Sequence, residues 1–431
     1  MTPSPDRASG WQPILEGEAA ARALAAVEAV ALAIGDVPVA ARHAAAPLAG
    51  GEAGVALLFE YLERARPGAG YRDNAARRLD RAIEALASSH QMPTLFSGFT
   101  GIAWVAEHLQ GGPPAAGDGE EDEADPNEDI DAALLHLLRQ RPWSSSFDLT
   151  GGLVGLGVYA LERLPRASAA ACLELVVEHL AAIAEARPDG LAWYTPVEKL
   201  PEPNRPWYPQ GWENLGMAHG SPGVIALLAR VCAAGLATRQ ARELLSGAVS
   251  RLLAQRLPAG GISIFPFAVG HGVRVRPART AWCYGDPGIA AALLAAGRGA
   301  GEPAWEREAA ALAREVARRP PASCGVEDAG LCHGAAGLGH VLNRLYQATG
   351  EPELLAGARA WFGRALEFWE AGRGIGGFLA LTPPEGEVDD LVWNAEAGFL
   401  AGSAGVALAL LAAVTSVDPA WDRVLLLSPL R

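Results

Sequence analysis

The sequence is short of the features that would tie it to a membrane, a nucleic acid or an oxidising compartment. Cysteine is sparse and odd in number: Cys172, Cys232, Cys283, Cys324 and Cys332 among 431 residues. That excludes a disulfide framework and suits a reducing cytoplasm. Positive charge is scarce, with 35 Lys and Arg against 49 Asp and Glu and a net charge of −14. Nucleic acid and anionic membrane are therefore excluded as main partners. Met1-Thr2-Pro3-Ser4-Pro5-Asp6 lacks a basic region followed by an apolar one, so no signal peptide is expected. The longest uncharged run, Ala397 to Val417, could just span a bilayer. It holds several glycines and hydroxyl residues and fits the repeat described below, so it reads as a buried helix of a soluble protein. Strand signals are few.

What the chain does have is apolar residues, 50% of the total, and much alanine. That is enough for a large helical core. It also has an internal repeat. Gly-x-x-Gly followed by an apolar segment occurs seven times, with the first Gly at Gly51, Gly98, Gly152, Gly220, Gly285, Gly334 and Gly402. Amphipathic segments alternate with these: Glu18 to Ile34, Asn74 to Ser89, Asp131 to Gln140, Ser168 to Ala186, Arg239 to Gln255, Ala304 to Arg319 and Pro352 to Glu370. The unit reads outer helix, loop, Gly-x-x-Gly, inner helix, and seven units predict about fourteen helices. Each unit must stack on neighbours to bury its apolar helix, and a closed ring removes the exposed ends. The prediction is an all-α protein, an α/α toroid or double seven-helix barrel, occupying residues 1–431 as a single domain. An open superhelix is the alternative.

Three stretches interrupt the pattern. An acidic loop near 113–130, carrying the charges between Gly117 and Asp131, reads as solvated and without specific function. An aromatic loop near 188–217 contains Trp193, Tyr194, Trp207, Tyr208 and Trp212, and long loops of this kind are usually functional. Between Ile262 and Arg279, apolar residues spaced by two allow short strands or a hairpin.

In a toroid all inner helices run the same way, so the loops entering them meet at one mouth. His219, Cys283, Cys332 and His333 lie one or two residues before their Gly pair, and Asp148 lies four before Gly152. The repeat thus gathers scattered residues among helix N-termini. Cys283, Cys332 and His333 make a three-ligand zinc site with an open fourth position. Cys172, Cys232 and Cys324 read as buried small hydrophobes. His43, His90, His108, His136, His179, His271 and His340 fall outside the register and read as structural or exposed.

Trp282-Cys283-Tyr284-Gly285 and Cys332-His333-Gly334, with Ala218-His219-Gly220 and Asp148, resemble the motifs of the lanthionine synthetase C family. The resemblance covers essentially the whole chain. It implies a standalone cyclase that adds peptide Cys thiols to dehydroalanine or dehydrobutyrine, closing lanthionine or methyllanthionine rings. It implies one zinc ion per chain on Cys283, Cys332 and His333. His219 would act as acid toward the enolate or as base toward the thiol, with Asp148 orienting it. Arg279 would steady enolate charge, and Trp282 and Tyr284 would shape the pocket. The implied partner is a dehydrated precursor peptide, with a dehydratase and a transporter in a modification complex. The implied place is the cytoplasm, peripheral to a membrane through those partners.

Several readings compete with these. Asp148 also reads as a helix N-cap, Arg279 as a surface charge, His219 as a packed or helix N-terminal histidine, and Trp282 and Tyr284 as core packing. A glutathione-adding enzyme acting on dehydroamino-acid-containing proteins would use the same site. Other toroid enzymes, with zinc-bound thiolates or paired carboxylates, would not need both motifs. A non-catalytic peptide-binding scaffold would need no metal.

Overall fold

The computed structural model describes residues 10–35, 47–87, 92–111, 125–200, 202–272, 275–383, 391–428 and 430. His43, His90 and much of the acidic stretch lie outside them. Among the described residues there are fourteen α-helices. The seven that follow the Gly pairs are α2 (Glu52–Ala65), α4 (Phe99–Leu109), α6 (Leu153–Glu162), α8 (Ser221–Ala233), α10 (Asp286–Ala300), α12 (Ala335–Thr349) and α14 (Ser403–Val414). The seven between them are α1 (Gly17–Ile34), α3 (Tyr71–Ala87), α5 (Glu128–Leu138), α7 (Ala167–Ile183), α9 (Thr238–Leu253), α11 (Pro303–Arg318) and α13 (Pro352–Glu367).

Composition sorts the two sets. In α8 every residue from Ser221 to Cys232 is buried. In α11 only Ala309, Leu312, Ala313 and Val316 are, one stripe at helical spacing. The apolar helices form the inner barrel. Each packs on the next, from α2 through α14, and α14 packs back on α2. The ring is closed.

The seam shows why small residues are needed there. A β-carbon on Gly54 would overlap the Leu48 carbonyl oxygen and lie 2.7 Å from Phe399 Cβ, which comes from the last repeat. Gly285 has φ of 119°, a conformation that side chains with a β-carbon rarely adopt.

The pairing of outer with inner helices differs from the sequence-based unit. Each of α3, α7, α9, α11 and α13 packs mainly on the inner helix that precedes it, and α1 packs on α14. The reason is connection length. Turns such as Ala300 to Pro303 are short and enforce antiparallel neighbours, whereas the loops entering inner helices are long. The first helix thus completes the last repeat. Trp11 Nε1 donates to Ala412 O over 2.7 Å, and the Ile14 and Leu15 amides both donate to Ala413 O.

The acidic stretch needs a correction too. Its end is structured: α5 begins at Glu128, and Asp131 is buried. Buried Arg163 donates to Glu107, Asp125 and Asp131, so these carboxylates neutralise an interior cation. The aromatic loop holds β1 (Glu185–Arg187), β2 (Gly190–Ala192), β3 (Tyr194–Thr195) and β4 (Trp212–Asn214). The first of these begins where the sequence pattern had continued the helix to Ala186. β5 (Ala268–Val269), from the 262–279 stretch, pairs with β4 to complete a three-stranded sheet β3-β4-β5. An unanticipated hairpin joins β6 (Ala380–Thr382) to β7 (Val392–Asn394). No described helix is long and apolar enough to cross a membrane.

Candidate metal centre and acid–base pair

The loops entering the inner helices are stitched sideways by their backbones. The Ala218 amide donates to Cys283 O, the Cys283 amide to Cys332 O, the Cys332 amide to Leu400 O, the Leu400 amide to Ala49 O and the Ala49 amide to Phe96 O. All six residues stand two before the first Gly of their repeat. This register explains why residues 49 positions apart in sequence, Cys283 and Cys332, are adjacent in space. The sulfurs of Cys283 and Cys332 and a ring nitrogen of His333 all lie within 4.8 Å of one another. Among the described residues this is the only such cluster of three or more metal-binding side chains.

The cluster's electrostatics suit a metal. The hydrogen bond from Cys332 holds the Cys283 thiol well below its ordinary pKa, helped against burial by His333 and by the Arg279 charge. The Cys332 thiol, as the donor in that pair, is pushed up. Burial works against charge on His333, but its hydrogen bond with Cys283 and the nearby Asp328 carboxylate outweigh burial and raise it. Two sulfurs and one imidazole form a donor set suited to zinc, and three ligands leave one position open. The residues therefore fit the group.

The other three cysteines are buried with the core, and burial raises their thiols, Cys172 to about 12. Those residues are inert packing. Of the remaining described histidines, His108, His179 and His340 are buried and hydrogen-bonded, while His136 and His271 are exposed.

Next to the cluster, His219 Nδ1 lies 2.8 Å from Asp148 Oδ2. A carboxylate can only accept, so Nδ1 carries the proton and Nε2 is the free nitrogen. The Asp148 Oδ1 atom accepts from the Gly151 amide at 2.7 Å and from Thr150 Oγ1 at 3.3 Å. The carboxylate therefore both turns its own loop and holds the histidine. Burial works to raise the Asp148 carboxyl, but the hydrogen bond and charge of His219 prevail and hold it below its ordinary value. The His219 side chain remains 41% exposed, open to a substrate.

Tyr284 faces the same space, its ring centroid 6.0 Å from that of His219 and 4.3 Å from Phe267. Burial pushes its hydroxyl pKa up. Arg279 is exposed, and its charge reaches both cysteines. Trp282 stands apart: it is buried in the core, and its Nε1 donates to Leu425 O at 2.9 Å.

Two residues escaped the sequence reading. Asp328 is buried and accepts from the Gly330 and Leu381 amides, tying the Cys332-His333 loop to the β6–β7 hairpin. Asn214 is buried against Tyr284. Both stand six before their first Gly, as Arg279 does, so the register that located the cysteines also marked these positions.

Known proteins share the fold and the family of this chain. The fold matches the solved structure of nisin cyclase with a TM-score of 0.72 at 19% identity, covering 89% of this chain and 93% of that one. A GH76 alpha-mannanase of Bacteroides thetaiotaomicron aligns at a TM-score of 0.47 and 10% identity, over 92% of this chain and 96% of that one. The model of the lanthionine synthetase C-like protein family matches residues 46–426, and the chain belongs to that family.

Proposed function

We propose that the protein is a zinc-dependent lanthipeptide cyclase. It adds peptide Cys thiols to dehydroalanine or dehydrobutyrine and so forms lanthionine or methyllanthionine rings. The observation that carries this reading is the juxtaposition on one rim of a three-donor cluster and an acid–base pair. Cys283, Cys332 and His333 converge within 4.8 Å, and the residue before His219 is hydrogen-bonded to Cys283.

The reaction is a net addition of S–H across a C=C bond. The thiol loses its proton, sulfur bonds to the β-carbon, the π electrons move to the carbonyl oxygen, and the α-carbon then takes up a proton. Zinc held by Cys283, Cys332 and His333 would lower the pKa of a substrate thiol that takes the open position. Asp148 fixes the His219 tautomer, so Nε2 faces the substrate as the proton-transfer atom, as base toward the thiol or as acid toward the α-carbon. Arg279 places positive charge where the enolate develops. Tyr284 walls the pocket, and Trp282 seats the Cys283 loop from beneath through its bond to Leu425. The substrate is a dehydrated precursor peptide, and the partners in the cytoplasm are a dehydratase and a transporter in one modification complex.

The test is incubation of the purified protein with a dehydrated peptide that contains cysteine. Loss of free thiol without change of peptide mass, faster than in the uncatalysed control, is the expected result. Mass gain only when glutathione is added would instead identify a glutathione-adding enzyme. No acceleration of either reaction by zinc-loaded protein would leave a scaffold.

A further inference from the structure

Asn214 is the last residue of β4, fully buried, and its two amide atoms have fixed roles. Its Oδ1 lies 2.8 Å from the Gly216 amide nitrogen. A backbone N–H only donates, so that atom must be the side-chain oxygen, which settles the orientation of the amide group. The remaining atom, Nδ2, lies 3.2 Å from Tyr284 Oη. An amide NH₂ only donates, so the phenol oxygen is the acceptor in this pair. Its own proton therefore points away from Asn214. Among the described residues, no acceptor takes it. The ring cannot easily swing to find one, because Phe267 stacks on it at 4.3 Å with 28° between planes. The Leu215 amide in turn donates to Phe267 O, so two consecutive residues hold both supports.

We propose that Asn214 is a positioning residue: by donating to Tyr284 Oη, it presents the phenolic proton to the substrate oxygen that becomes negative when the thiol adds. Tyr284 then acts as an oxyanion donor in addition to walling the pocket. The inference rests on the cyclase reading for its reaction but not for its geometry. A donor already aimed at developing charge needs no reorganisation during the reaction, and that is where such groups gain their effect.

Asn214→Asp is the informative variant. It keeps an oxygen for the Gly216 amide but replaces the NH₂ donor by an acceptor, which captures the phenolic proton. The expected result is a fall in kcat of on the order of 10²-fold with little change in KM, similar to that of Tyr284→Phe. Bound zinc should stay at the wild-type level, and circular dichroism should show the variant folded at the assay temperature. In a Tyr284→Phe background, Asn214→Asp should add almost nothing. A full additional loss there would mean that Asn214→Asp acts through its charge or through the fold, and would overturn the proposal. Unchanged kcat in either single variant would do the same.

A second readout does not depend on turnover. The tyrosine ring doublet in the Raman spectrum reports whether a phenol accepts or donates, and subtracting the Tyr284→Phe spectrum isolates one of seven tyrosines. It should read as acceptor in the wild type and switch toward donor in Asn214→Asp. No switch would overturn the proposal even if the protein closed no ring. A switch in a protein that closes no ring would uphold the geometry and place the failure with the cyclase reading.

Discussion

The backbone N–H of Cys283 donates to the carbonyl oxygen of Cys332 over 3.4 Å. This single bond sets two thiols from different repeats side by side, and the third donor, His333, follows Cys332 directly. The site is thus made by the lateral seam of the toroid, which brings Cys283 against the adjacent pair Cys332 and His333.

Purified protein should carry about one zinc per chain, and Cys332→Ala or Cys283→Ala should lose most of it by elemental analysis. Chelation should abolish ring closure yet leave the helical circular dichroism largely intact. The core is a closed ring of apolar helices, and the Cys283, Cys332 and His333 cluster that would hold the metal lies only at its rim. Full zinc in Cys332→Ala would contradict the ligand assignment.

His219→Ala should retain zinc and lose 10²–10⁴-fold in enzymatic ring closure at neutral pH. Asp148→Asn should lose nearly as much, because the amide can present an N–H to Nδ1 and favour the wrong tautomer. Peptide-cyclisation kinetics at fixed metal occupancy measure both effects.

The lowered carboxyl of Asp148 also predicts a pH signature in stability. A depressed folded-state pKa gives stabilisation that is present above the unfolded value, about 4, and lost as pH falls through the folded value. Wild type and Asp148→Asn should therefore differ by a constant amount near neutrality, and the gap should close in acid. Denaturant titrations from pH 7 downward test this.

Gly54→Ala should destabilise by about 1–3 kcal/mol or more, since its methyl would meet a backbone oxygen and Phe399 Cβ at the seam. Gly363→Ala, on the exposed face of α13 with open space around it, should stabilise by about 0.4–1 kcal/mol. Opposite shifts in melting temperature are the expected outcome.

Trp11→Ala should cost about 3–5 kcal/mol, a large value for a residue so near the chain start. Trp11 is buried, and its indole N–H donates to Ala412 O of the last inner helix, so its loss weakens ring closure directly. Thermal unfolding measures the cost, and a shift under half a kcal/mol would mean that α1 does not close the ring.

The sequence alone carried the repeat, because every inner helix enters at a glycine and buries nearly all its faces, and both facts leave a period in composition. It also carried the register. Cys283 and Cys332 stand at the same step of their repeats, as do His219 and His333, and equivalent steps in a closed ring are neighbours. The cluster of metal-binding side chains was legible for that reason.

Partner choice across the ring was not legible. Composition marks a helix as outer without saying which inner helix it covers, so the pairing of α1 with α14 rests on turn lengths and closure. Nor could the acidic run announce that Asp131 faces a buried Arg163, because charge patterning along the chain does not register an interior cation 32 residues away. The contacts of Asn214 and Trp282 were decided likewise by what the neighbouring repeat and the tail place against them: the phenol of Tyr284 and the carbonyl of Leu425. Periodicity fixes which residues share a level of the ring; only packing fixes the angle at which each side chain leaves the backbone and the group it meets.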